Sequence, residues 1–104
     1  MKKLKVEIIN LKTERPLQEY DIRIHRGTPL GNPFKVTDES LRDEMCDAYI
    51  TWFYNHRVLN NSVVAKELAR IQAILHKHKI VRLFCWCVPK RCHGETIKEF
   101  LLNE

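Results

Sequence analysis

Phe84-Cys85-Trp86-Cys87-Val88-Pro89-Lys90-Arg91-Cys92-His93-Gly94 gathers three of the chain's four cysteines and one of its five histidines. Thiol and imidazole are soft ligands and nucleophiles, and this grouping is open to four chemistries. Cys85, Cys87, Cys92 and His93 together are a three-thiolate, one-imidazole set of the kind that closes around a tetrahedral zinc ion. Against that, C-x-C-x4-C-H packs into one short segment ligands that zinc modules usually draw from two separated knuckles. A thiol at a helix start beside His93, Lys90 and Arg91 is placed to have a lowered pKa, which makes Cys92 the candidate nucleophile. His93 titrates near neutral pH and is the candidate acid–base group. A helix entered at Gly94 would offer free N–H groups to an anion, with Lys90 and Arg91 adding charge. The plainest alternative is that the cysteines are small buried hydrophobes at a strand end.

A second unusual segment is Arg26-Gly27-Thr28-Pro29-Leu30-Gly31-Asn32-Pro33-Phe34. Its prolines forbid a helix and its glycines, Gly27 and Gly31, open backbone positions closed to other residues. Arg26 supplies charge, and Asn32 supplies donors and an acceptor suited to a base or sugar. The segment matches neither a P-loop nor a dinucleotide fingerprint, so an expectation of phosphate rests on position and charge. His25, just before it, joins the site only if its strand enters the same sheet edge. No carboxylate lies in either segment to act as a base, and the sequence leaves open whether the chain is an enzyme.

These residues need elements to position them. Leu4 to Ile9 alternates apolar and charged residues, as does Tyr20 to His25, and both read as strands with one buried face. Residues 10–19 read as a loop. Thr37-Asp38-Glu39-Ser40 caps a helix running to about Asn55, with Leu41, Met45, Ala48 and Trp52 at helical spacing and Tyr49 and Phe53 widening the stripe. Asn60-Asn61-Ser62 breaks and re-caps the chain. Val64, Leu68, Ile71 and Leu75 mark a second helix ending near His78. Ile80 to Cys87 is apolar on both faces apart from Arg82 and predicts a central strand covered on both sides. On such a strand Cys85 and Cys87 share a face and Trp86 takes the other. Gly94 to Leu102 predicts a last short helix.

The order is therefore β-β-α-α-β-α. It predicts a small three-layer α/β domain with a mainly parallel sheet whose third strand is reached by a helical crossover. Ligands of such sheets bind outside the carboxyl ends of strands. Loops 26–34 and 87–94 both follow strands, so one pocket can use both. The leading expectation is a pocket for a nucleotide or nucleoside phosphate; the alternative is a zinc module that contacts nucleic acid or protein. Cys46, Tyr49, Trp52 and Phe53 read as core, and His76 and His78 as a solvated helix end.

Composition bounds these readings. At 104 residues the chain has the length of one domain. Its 18 Lys and Arg against 13 Asp and Glu give a net charge of +5, compatible with phosphate-bearing partners, nucleic acid included. It lacks the interleaved basic and aromatic residues of a single-strand binder. There is no apolar run of about 18 residues, so no membrane span is expected, and the charged N-terminus does not read as a signal peptide. A cytoplasmic setting, where thiols stay reduced, is expected.

The two segments together resemble one family. Ile24 to Phe34 is similar to its GR…GNPF motif, and Cys85 to Gly94 to its CWC-P-CHG motif, in the same order and with helices between them. The family is DUF4326, a bacterial and phage domain of unknown function, and the resemblance covers roughly residues 20–102. His25 stands where many members carry Gly before the Arg. The resemblance implies a compact, Rossmann-like α/β domain. It singles out Arg26, Gly31, Asn32, Pro33, Cys85, Trp86, Cys87, Cys92 and His93 as signature positions.

Overall fold

In the computed structural model, which describes residues 3–35, 37–57 and 62–103, each expected element forms. Strand β1 spans Lys5–Asn10 and β2 Asp21–Arg23; a 3-10 turn at Glu39–Leu41 leads into α1, Arg42–Arg57. Helix α2 is Val63–His78, β3 is Ile80–Cys85 and α3 is Gly94–Asn103. The sheet runs β1-β3-β2, and both pairs are parallel. The apolar run Ile80–Cys85 thus becomes the central strand, the one position in a three-stranded sheet with neighbours on both edges.

The register fixes the faces. Val6 lies opposite Val81, and Ile22 opposite Leu83. Val6, Ile22, Ile24, Val81, Leu83 and Cys85 form one core with Tyr49 and Phe53 of α1, Leu68, Ile71 and Leu75 of α2, and Ile97 and Leu101 of α3. All three helices therefore share one side of the sheet. The cover on the other side is not helical. There the Arg82 guanidinium lies 5.2 Å from the centre of the buried Phe84 ring and pairs with Glu14 of the β1–β2 connection at 2.6 Å. Layers of helix, sheet and loop result.

Local chemistry sets the ends. Asp38 Oδ1 accepts the Ser40 N–H at 2.9 Å and starts the 3-10 turn. Ser62 Oγ accepts the Ala65 N–H at 2.9 Å and caps α2; Lys79, in the left-handed region at φ 64°, closes it. Asn60 and Asn61, expected to break the helical run, lie outside the described residues. Two boundaries differ from expectation. Strand β2 stops at Arg23 rather than His25, although Ile24 N–H still donates to Phe84 O at 2.9 Å. Strand β3 stops at Cys85, where its neighbour β1 also stops at Asn10. Cys87 therefore does not sit with Cys85 on one strand face, and Trp86 leaves the sheet, 53% exposed. No described helix is long and apolar enough to cross a membrane.

Candidate functional site

The three parallel strands end on the same edge, and the segments leaving them surround a cleft of about 600 Å³. Asn10 and Lys12 come from the end of β1. His25, Arg26, Asn32, Phe34 and Lys35 follow β2, and Cys85 to His93 follow β3, with Glu39, Arg42 and Cys46 closing the side.

Each loop is held by identifiable contacts. In the first, Thr28 Oγ1 donates to His25 O at 2.7 Å, and Gly27 takes φ 96°. Gly31 packs so tightly that a Cβ there would lie 2.4 Å from His25 O. Tyr49 Oη donates to Leu30 O at 2.7 Å, so a core tyrosine of α1 also fastens the loop. Asn32 Oδ1 accepts the Phe34 N–H at 2.8 Å, which leaves its NH₂ group for the cleft. In the second loop, Asn10 Nδ2 donates to Val88 O, and Arg42 Nη1 donates to Arg91 O at 3.2 Å. The Arg91 guanidinium reaches outward to Asp47 at 2.7 Å and Asp43 at 3.2 Å.

The charge around the cleft is one-sided. Lys12, Arg26, Lys35, Arg42, Lys90 and Arg91 line it, and among the described residues Glu39 is the one lining carboxylate. Hydrogen bonding to Arg42 at 2.6 Å holds the Glu39 carboxyl down at about 2, with Lys90 adding to it at 3.4 Å. Arg42, Lys90 and Arg91 are thus already paired with carboxylates. Among the described residues Lys12, Arg26 and Lys35 have no acidic partner.

At the floor, three thiols meet. The Cys92 thiol donates to Cys85 Sγ at 3.0 Å, and Cys92 Sγ lies 3.6 Å from His93 Nδ1. Hydrogen bonds from the Cys85 and Cys92 thiols, with help from Arg42, hold Cys87 well below the usual thiol range. The same hydrogen bonds push Cys92 up, and burial adds to this; donation to Cys87 pushes Cys85 up. Of the three, Cys87, the half-buried member, is the thiol whose ionised form is favoured. This corrects the expectation for Cys92, which is a neutral buried thiol: its proton is shared with its neighbours, and its burial disfavours charge. His93 is buried beside the Tyr49 ring, 5.0 Å between centroids. Its Nε2–H donates to Ile24 O at 2.5 Å, so Nδ1 carries the lone pair, and burial lowers its pKa.

The four residues expected as a metal set do not fit a zinc ion as they stand. Among the described residues no group of three or more His, Cys, Asp or Glu side chains is arranged to hold a metal. Two sulfurs on a tetrahedral zinc with bonds near 2.3 Å stand roughly 3.7 Å apart, whereas Cys85 and Cys92 are at 3.0 Å. The helix start is likewise occupied by the chain itself. Gly94 N–H points at Cys92 Sγ at 3.4 Å, and Glu95 Oε2 accepts the Cys92 N–H at 3.4 Å, a capping box with a sulfur in place of a hydroxyl.

Of the residues expected at a site, Arg26, Asn32, Cys85, Cys87, Lys90, Arg91, Cys92 and His93 line the cleft, and His25 joins them. Gly31 and Gly94 do not line it; both serve close packing, Gly94 against Ile24 and Ile8. Asn10, Lys12, Lys35 and Arg42 were not expected. Lys35 was within reach, since it directly follows Gly31-Asn32-Pro33-Phe34. The other three lie far from both motifs in sequence and carried no signal.

A family model described as domain of unknown function, DUF4326, matches residues 9–103. Over 79 residues the chain is 29% identical to an uncharacterized 12.4 kDa protein in the nrdA-td intergenic region of Enterobacteria phage T4. The alignment covers 76% of this chain and 65% of that relative, so the chain spans just under two thirds of its length. No solved structure matches the chain. Both motif segments fall inside the matched residues.

Proposed function

The chain belongs to the DUF4326 family, a domain of unknown function, and from the facing of its two motif loops we propose that they form a pocket for a nucleotide or nucleoside phosphate. One observation carries this reading: Lys12, Arg26 and Lys35, without acidic partners among the described residues, face the same cleft as the exposed indole of Trp86. Cations that have no carboxylate to give up meet phosphate oxygens at least cost, and an exposed indole face stacks on any base. The cleft, at about 600 Å³, is of ordinary ligand-site size. Asn32 lines the same cleft, and with its Oδ1 taken by Phe34 N–H its NH₂ group is the donor it can offer a sugar or base. Phosphate recognition is assigned to side chains rather than to the start of α3, because the chain's own sulfur and carboxylate fill that start. With Glu39 already paired, the pocket is better equipped to hold an anion than to abstract a proton.

A thermal-shift series tests this. Nucleoside mono-, di- and triphosphates are expected to raise Tm where the parent nucleosides do not. A ligand at a hundredfold its Kd stabilises by about 2.7 kcal/mol, on the order of 10 °C for a chain of this size. The double variant R26A/K35A should lose most of that rise. Flat melting curves across the series, or an undiminished rise in the variant, would refute the proposal.

A further inference from the structure

Nucleotide binding makes no use of the thiol cluster, and the cluster has an organisation of its own. Cys85 and Cys92 touch at 3.0 Å, and both thiols act on Cys87, which lines the same cleft. All three line the cleft, but Cys85 and Cys92 are buried in its floor at 0% and 4% exposure while Cys87 is half-buried. The Arg42 guanidinium stands beside Cys87, and the lone-pair nitrogen of His93 stands beside Cys92 at 3.6 Å. An accessible thiol with a buried thiol behind it, and a base behind that, is the arrangement two-step exchange needs.

We propose that the cleft carries out thiol–disulfide exchange, with Cys87 as the attacking and Cys92 as the resolving cysteine. The co-reactant is a disulfide, RSSR′, small enough to enter the cleft. In the first step Cys87 Sγ attacks one sulfur; a Cys87–SR bond forms, the S–S bond of the reagent breaks, and R′S⁻ leaves. In the second, Cys92 passes its proton to His93 Nδ1 and attacks Cys87 Sγ, expelling RS⁻. A Cys87–Cys92 disulfide remains. The protein is oxidised by two electrons and RSSR′ is reduced to RSH and R′S⁻: Cys87 reacts as the thiolate and brings no proton, and the one proton of Cys92 passes through His93 to RS⁻. The lowered pKa of Cys87 supports the first step, because the thiolate is the attacking species. The lowered pKa of His93 suits a group that holds a proton only in passing.

The test is to treat the full chain with oxidised glutathione and follow it by intact mass and peptide mapping. Wild type is expected to form the Cys87–Cys92 disulfide without a lasting adduct. C92S should stop at a glutathione adduct on Cys87, H93Q should accumulate that adduct before resolving it, and C87S should react at least tenfold more slowly. Because Cys92 also caps α3, limiting alkylation of the wild-type chain by iodoacetamide gives an independent reading; it must fall on Cys87 first. Equal rates for C87S and wild type, a persistent adduct on the wild-type chain, or first alkylation at Cys46 would each overturn the proposal.

Discussion

His93 has both ring nitrogens committed, one donating to Ile24 O and the other facing Cys92 Sγ, in surroundings that disfavour its charge. Its folded pKa lies below the unfolded value of about 6.5. The unfolded chain therefore binds the proton first as pH falls. The stability His93 contributes is complete above about pH 6.5 and is lost as pH drops toward its folded pKa. Paired denaturant melts of wild type and H93Q check this at about pH 7.5 and pH 5. The advantage of wild type should shrink at the lower pH, and an equal gap at both would count against a buried neutral imidazole. Little of this was visible in the linear chain. Residue types at 85, 87, 92 and 93 announced soft chemistry, but which thiol holds the charge depends on Arg42 and on who donates to whom. Those are facts of three-dimensional contact, and the helix-start rule alone does not carry the neighbouring thiols and the burial that push Cys92 up.

Elements were more legible, because their signals are local. The Val64, Leu68, Ile71, Leu75 stripe with its Ser62 cap formed as the pattern implied, and every one of those side chains is buried. Alternation failed at Cys85-Trp86-Cys87, since a strand lasts only as long as its partners, and β1 ends opposite Cys85. The prolines of segment 26–34 ruled out a helix, but its tight packing was not legible: the chain folds back until Gly31 touches the carbonyl of His25. G31A should cost about 2 kcal/mol, because a backbone oxygen cannot step aside as a side chain can. Tm should fall on the order of 10 °C, and anion binding should weaken with it as Arg26 and Asn32 shift. Unchanged melting would mean the loop is looser than these contacts imply.

At the scale of the whole molecule, the net charge of +5 is less informative than its placement. Half of the cationic lining is quenched by Glu39, Asp43 and Asp47, and the remainder converges on one opening from segments far apart in sequence. Attraction of this kind is screened within about 8 Å at physiological ionic strength. Affinity for a nucleoside triphosphate, followed by Trp86 fluorescence, should therefore fall steadily with added salt. The fall should be shallower in K12Q/K35Q, and a salt-independent affinity would point to apolar rather than charged recognition. Such convergence follows from parallel topology, which brings together the ends of strands that are remote in the chain. Composition could not reveal it.

That topology has a further consequence. Three walls of the cleft each hang from their own strand, one following Asn10, one Arg23 and one Cys85, while Glu39, Arg42 and Cys46 close the remaining side. A lineage could replace one wall, and with it one aspect of ligand choice, while the hydrogen-bond ladder and the other two walls stayed as inherited. Divergence in such a molecule proceeds by thirds.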